Sequence, residues 1–267
     1  NPIGKEISMS GLIESYKKVY ENKKAHIWLV TISIIWTLLS ALWDIKTGNP
    51  DNYRQNPLDI IFNIIIGAYS IQFLHNAINN TDNGVLPSFM KICPKIYLGI
   101  IKLNIIWGIY AVLVLVSAVL LYIATHFIAL PVIITVLLLF FAMFVYYIFL
   151  AYAEDLNSKG LVNIALLFKF IKPGFKPLYI KLLLFVMFSI AVAVIYILLY
   201  IAAGLIGLDK IGHIAGDFYF MDIIMNIIAG YFVIVTWYFA FPYSLINSYV
   251  KNIRPLIRKD ENNDANA

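Results

Sequence analysis

Three groups of side chains hold whatever chemistry this sequence could perform. In the first, Asn63, Gly67 and Ser70 recur at helical spacing, Tyr69, Gln72 and Asn76 follow on a neighbouring stripe, and His75 closes the set. Asn104 shares a face with Gly108, and Thr236, Ala240, Ser244 and Asn247 share another farther along the chain. Carboxamides and hydroxyls spaced in this way can bridge helices or line a polar cavity. They offer no nucleophile beside a base and no facing pair of carboxylates. In the second group, Asp209, His213 and Asp217 stand four residues apart, the spacing at which a helix would present metal ligands on one face. Gly207, Gly212 and Gly216 argue against a helix there, so a solvated loop is expected and no metal. The third group is Glu154-Asp155 near Lys159. Adjacent residues on a helix do not face each other, so this reads as a surface charge cluster that ends a helix. Cys93 is the single cysteine, which excludes an internal disulfide, and His26 and His126 are isolated. No nucleotide-binding glycine loop, zinc motif or nucleophile elbow is present. A non-enzymatic protein without a cofactor is expected.

The elements that must position these residues follow from composition. Of the residues, 61% are hydrophobic and 13% charged. That is about half the charge of an ordinary soluble domain, and a water-soluble chain of this size could not hide so much apolar surface. Asp, Glu, Lys and Arg are missing from Ala25 to Trp43, from Ile60 to Thr81, from Leu103 to Ala153, from Leu182 to Leu208 and from Ile223 to Val250. At ~1.5 Å per residue the shortest of these runs crosses about one hydrocarbon thickness. The run from Leu103 is long enough for two spans, and Pro131 after Thr125-His126 divides it. Six transmembrane helices result. Unbroken apolar runs without alternation exclude a β-barrel. The first run spans, so it is read as a helix and not as a cleavable signal.

Basic residues orient the chain. All but Lys46, Arg54 and Lys210 of its 20 Lys and Arg fall in the N-terminal arm, in the segments between spans two and three and between spans four and five, or in the C-terminal tail. The positive-inside rule makes this side cytoplasmic, with both termini there, in the cell membrane. Lys17, Lys18, Lys91, Lys95, Lys169, Lys172 and Lys176 are the candidates for contact with anionic lipid headgroups. Lysines spread between apolar runs exclude a nucleic-acid partner, whereas another membrane protein or transporter subunit fits.

Each pair of spans follows a similar segment. Leu12, Ile13, Tyr16, Val19 and Tyr20 form an apolar stripe before span one. Leu86-Pro87 opens a second such segment, with Phe89, Cys93, Ile96 and Tyr97 on one face and Pro94 ending or kinking it. Ile164, Leu167, Phe168 and Ile171 form a third, stopping at Pro173-Gly174. The expected fold is therefore an all-α integral membrane domain over residues 1–250. It consists of three helical hairpins, each preceded by a cytoplasmic amphipathic helix, with repeat units near 10–82, 85–157 and 162–250 and a pseudo-threefold arrangement. Residues 251–267 form a basic-then-acidic tail, expected to be flexible.

Gly67-Ala68-Tyr69 through Asn79, then Leu86-Pro87, then Gly99 at the start of a span, resembles the prokaryotic membrane proteins grouped as domain-of-unknown-function family 4013. Tyr152-Ala153-Glu154 followed by Leu161 to Phe170 is similar to that family's second landmark, and the resemblance runs over roughly residues 57–250. Gln72 or His75 stands where the family has a basic residue. The resemblance implies a membrane fold and no particular activity. Two roles are compatible with all these features. One is a non-enzymatic transport-related subunit, or a membrane assembly or immunity factor. The other is a small transporter or lipid-binding permease, with a cytoplasm-facing polar cavity between spans two, three and six.

Overall fold

A computed structural model describes residues 9–47, 57–80, 87, 92–127, 129, 131–133, 135, 144–156, 164–207, 213–215 and 218–258. In chain order these form α1 (Met9–Tyr20), α2 (Lys23–Thr47), α3 (Pro57–Ile78), α4 (Pro94–Thr125), α5 (Val145–Asp155), α6 (Ile164–Leu205), β1 (His213–Ala215), β2 (Phe218–Tyr219) and α7 (Phe220–Val233). A π-helical stretch (Ile234–Ala240), α8 (Phe241–Ser248) and a second π-helical stretch (Tyr249–Ile253) follow. Apart from turns and short connections, the described residues are thus helical but for one short antiparallel strand pair. Four of the helical segments are long and apolar enough to cross a membrane: Lys23–Trp43, Leu58–Ile78, Lys169–Leu205 and Met221–Arg258. Leu183, Ile190, Ile197, Leu198 and Ile201 of α6 stand exposed, as do Ile105, Ile109, Val112 and Leu115 of α4. Aliphatic surface of that extent is unfavourable in water and suits lipid.

The chain divides into two compact units. Residues 1–92 and 179–244 form the first, and 93–178 and 245–267 the second. In the first unit α2 packs along α7, while α1 and α3 both pack on the π-helical stretch Ile234–Ala240. A sharp turn joins α1 to α2, where Asn22 offers both its backbone and side-chain oxygens to the Ala25 N–H. His26 fastens this corner. Its Nε2 donates to the Val19 carbonyl at 2.8 Å, and the Tyr231 hydroxyl lies 2.6 Å from its Nδ1. Because the carbonyl can only accept, Nε2 holds the proton and Nδ1 receives the tyrosine's.

The stripe expected on α1 is rotated in the structure. Leu12, Ser15 and Val19 are buried, with Tyr16 half-buried, whereas Ile13 and Tyr20 are exposed. Ser15 tolerates burial because its hydroxyl donates to the Gly11 carbonyl within the same helix. Tyr16 turns inward to stack near Phe185 and reach Thr236.

Two boundaries follow from local backbone chemistry. Pro94 takes the first position of α4, with Cys93 extended ahead of it, so the proline opens this helix. Thr125 ends it: His126 adopts a left-handed conformation (φ 49°) and its N–H closes on the Tyr122 carbonyl. That is the division expected in the long apolar run. Of the fourth span expected beyond it, the closing part is α5, while 134 and 136–143 lie outside the described residues, as does the amphipathic segment expected at 86–91 apart from Pro87.

The expected stop at Pro173-Gly174 does not occur, because α6 runs through both Pro173 and Pro177. The reason is tertiary. Tyr147 of α5, fully buried, packs against Gly174 and donates to its carbonyl at 3.2 Å. This contact holds in helical form a stretch that the prolines alone would loosen.

Candidate functional site

A cavity of about 350 Å³ opens in the first unit between α2, α3 and α7. Its walls are Trp36, Ala41, Phe62, Ile223, Ala229, Gly230, Val233 and Ile234, with Thr37, Ser40, Asn63, Asn226 and Tyr238 as the polar lining. Trp36 and Phe62 stack at 4.5 Å, and the Trp36 indole N–H is fixed by Asp59 Oδ1 at 2.8 Å. Gly230 lets α7 approach this ring, since a Cβ there would lie 3.3 Å from it. Asn63 accepts from the Tyr238 hydroxyl at 2.6 Å. Among the described residues none that lines it is charged. Apolar walls with a few convergent polar groups, at this volume, match the usual character of small-molecule sites.

Of the candidate polar residues, Asn63 is the one that lines this cavity. The rest of the cluster on α3 is spent within the first unit. Tyr69 is fully buried and donates to the Pro87 carbonyl at 2.6 Å, and Gln72 donates to Asn76 at 3.0 Å. His75 sits 3.1 Å from Asn79. Thr236, fully buried in the π-helical stretch, pairs with the Tyr16 hydroxyl at 2.7 Å. Ser244 donates back to Phe241. Asn104 and Asn247 belong to the second unit, where Asn104 bonds within its own helix to Ile100 and Asn247 is exposed. Thr37, Ser40, Asn226 and Tyr238 are the polar cavity residues that sequence reasoning passes over. The available signal is a threonine and an asparagine inside two otherwise charge-free spans.

Ser70 has a distinct task. Pro242 lacks the N–H that a helix would direct to the Tyr238 carbonyl, and the Ser70 hydroxyl donates to that carbonyl instead. Lys181 is also buried and donates to the Ser244 carbonyl, so this lysine is not part of a headgroup-facing set. Ser70→Ala is expected to leave the Tyr238 carbonyl without its donor and to lower stability by about 1–2 kcal/mol. Thermal unfolding in detergent, followed by loss of monodisperse elution, measures it.

The second unit is built around a buried carboxylate. Glu154, expected at the surface, is only 7% exposed. Its Oε2 accepts from Tyr249 at 2.6 Å, and its Oε1 from Arg254 Nε at 2.5 Å and Arg258 Nη2 at 3.1 Å. Partners close to a hundred residues away draw it inward, whereas its sequence neighbour Asp155 remains exposed and Lys159 lies outside the described residues. Burial alone would raise the Glu154 pKa. The hydrogen bonds from Arg254 and Tyr249 and the Arg254 charge outweigh it and hold the carboxyl below its ordinary value. Beside it, Tyr152 lies on Gly99 and donates to the Lys95 carbonyl at 3.1 Å.

Of the lysines expected at anionic headgroups, Lys17, Lys95, Lys169, Lys172 and Lys176 are exposed, Lys18 pairs with Glu21 at 2.9 Å, and Lys91 lies outside the described residues. His213 begins β1, and Asp209 and Asp217 lie outside the described residues. Among the described residues no three His, Cys, Asp or Glu gather as metal ligands. Compared with protein-family models, with curated proteins and with solved structures, the chain finds no match, and its functional reading rests on the geometry above.

Proposed function

We propose that this chain is a six-span protein of the cell membrane that holds a lipid-like molecule in the cavity between α2, α3 and α7, as part of transport or lipid handling. The cavity itself carries the reading: a largely apolar site of about 350 Å³ beside helices whose outer faces are aliphatic. A hydrophobic ligand reaches such a site through the bilayer. The site lies toward the Asp59 end of α3. In the topology that positive-inside asymmetry favours, it belongs to the outer leaflet, with exposed Lys17 of α1 at inner-leaflet headgroups. The three-hairpin repeat and the kinship with family 4013 are part of this proposal. Tyr69 and Tyr147 support the repeat, because each donates to a backbone carbonyl in a proline-containing segment that follows it.

Ala229→Phe fills the cavity from α7 and tests the reading. Native mass spectrometry of the detergent-purified protein is expected to detect a bound lipid-sized molecule on the wild type and about tenfold less on the variant, since a ring in place of a methyl removes the space. Equal retention by both would refute the assignment. A second reading, a subunit that acts through its helices on another membrane protein, is favoured by the exposed aliphatic faces of α4 and α6.

A further inference from the structure

Part of the cavity's polar lining has hydrogen-bonding capacity that no described residue takes up. Thr37 is 8% exposed, lines the cavity, and forms no hydrogen bond to any described residue. Threonine in a helix commonly satisfies its hydroxyl on the carbonyl one turn back, as Thr31 does with Ile27. Thr37 does not, and its hydroxyl is left for the cavity. Asn63 spends its oxygen on Tyr238, and its amide N–H groups have no partner among the described residues. Asn226 of α7 likewise has none for either end of its carboxamide. Three hydrogen-bonding groups from three helices thus line one largely apolar cavity with unspent capacity, Thr37 buried and Asn63 and Asn226 exposed.

Depth makes that arrangement costly when empty of a partner. Asn63 lies six residues into α3 and Asn226 six residues into α7, about 9 Å along each axis. At that level water is scarce, and unsatisfied polar groups are unfavourable. A phosphate or ammonium placed there would need a counter-charge, and none lines the cavity among the described residues. An uncharged head bearing hydroxyl or ester oxygens needs only the donors and acceptors that are present.

We infer that the cavity takes a neutral, oxygen-bearing lipid. Thr37, Asn63 and Asn226 hydrogen-bond its head, while its chain lies beside the Trp36–Phe62 stack. This rests on the lipid-binding reading above and narrows it to one class of headgroup.

The test uses the full chain in nanodiscs containing either a photoactivatable diacylglycerol or a photoactivatable phosphatidic acid with identical acyl chains. Crosslinks are mapped by peptide mass spectrometry. The diacylglycerol is expected to label the peptide around Thr37 about tenfold more than the phosphatidic acid. The near-isosteric pair Thr37→Val and Asn226→Leu is expected to cut that labelling about tenfold, a modest figure for two lost hydrogen bonds. Thermal unfolding and monodisperse elution of the double variant confirm that it is folded, and competition by unlabelled diacylglycerol on the wild type gives a second measure that needs no variant. Equal labelling by both probes, or labelling that the double variant leaves unchanged, overturns the headgroup assignment and leaves a lipid cavity standing. Labelling by neither probe at this peptide overturns both.

Discussion

Glu154→Ala is expected to lower the unfolding free energy by about 3 kcal/mol, the low end for losing one partner of a buried ion pair. The low end applies because Arg254 and Arg258 keep 24% and 64% of their side-chain surface exposed. Alanine would strand the buried Tyr249 hydroxyl and leave both guanidinium groups without their shared acceptor. The partners should rank by exposure. Arg254→Ala should cost less than Glu154→Ala, and Arg258→Ala at most about 1 kcal/mol, as for surface pairs. Thermal unfolding of the three variants in one detergent measures the order, and equal losses at Glu154 and Arg258 would contradict a buried-carboxylate anchor. Acid should reproduce the effect. The folded-state pKa lies below the ordinary 4.5, so the contribution is present above that value and is lost as pH falls through the depressed folded one. Glu154→Gln should flatten this acid limb.

Gly99→Ala is expected to destabilise by about 2–3 kcal/mol, in the upper range for overpacking. An added Cβ would lie 1.9 Å from the Tyr152 hydroxyl oxygen and 2.1 Å from Cζ. The ring is buried and its hydroxyl is committed to Lys95, so it cannot swing aside without losing that bond. The sign should reverse when the ring is removed. On a Tyr152→Leu background the same alanine should be neutral or stabilising by up to about 1 kcal/mol, because glycine is the poorer helix former. A double-mutant cycle read by thermal unfolding decides this. A Gly99→Ala cost that persists once the tyrosine ring is gone would place its origin elsewhere.

How far the sequence foretells these features depends on the range of the force involved. Absence of charge is local and locates the spans well: the run Ala25–Trp43 lies inside α2, and the run from Ile60 overlaps α3 to Ile78. Thr125-His126 is legible as a break for the same reason. The path at Pro173-Gly174 is not, because Tyr147 lies far from it in sequence and overrides the local preference. Glu154 misleads similarly: beside Asp155 it looks like surface, and its partners Tyr249 and Arg254 come from the far end of the chain. The polar stripes on α3 and near Thr236 are visible as stripes, but spacing does not tell whether a hydroxyl meets another helix or a cavity. Most of them meet helices, and the cavity collects Thr37 and Asn226, which belong to none of the polar stripes read from the sequence.

The π-helical stretch Ile234–Ala240 sets the phase of everything after it in the first unit. A wide turn accommodates a surplus residue, so the segment behaves as a register insert between two ordinary helical pieces. Excising one residue there would let the coil close to its usual pitch and rotate the following positions by about 100°. The carbonyls of Tyr238 and Ser244 would then face away from Ser70 and Lys181. Length in this short span is accordingly constrained more tightly than side-chain identity: most exchanges of one aliphatic for another would be absorbed, whereas a single codon lost would misalign two helices at once.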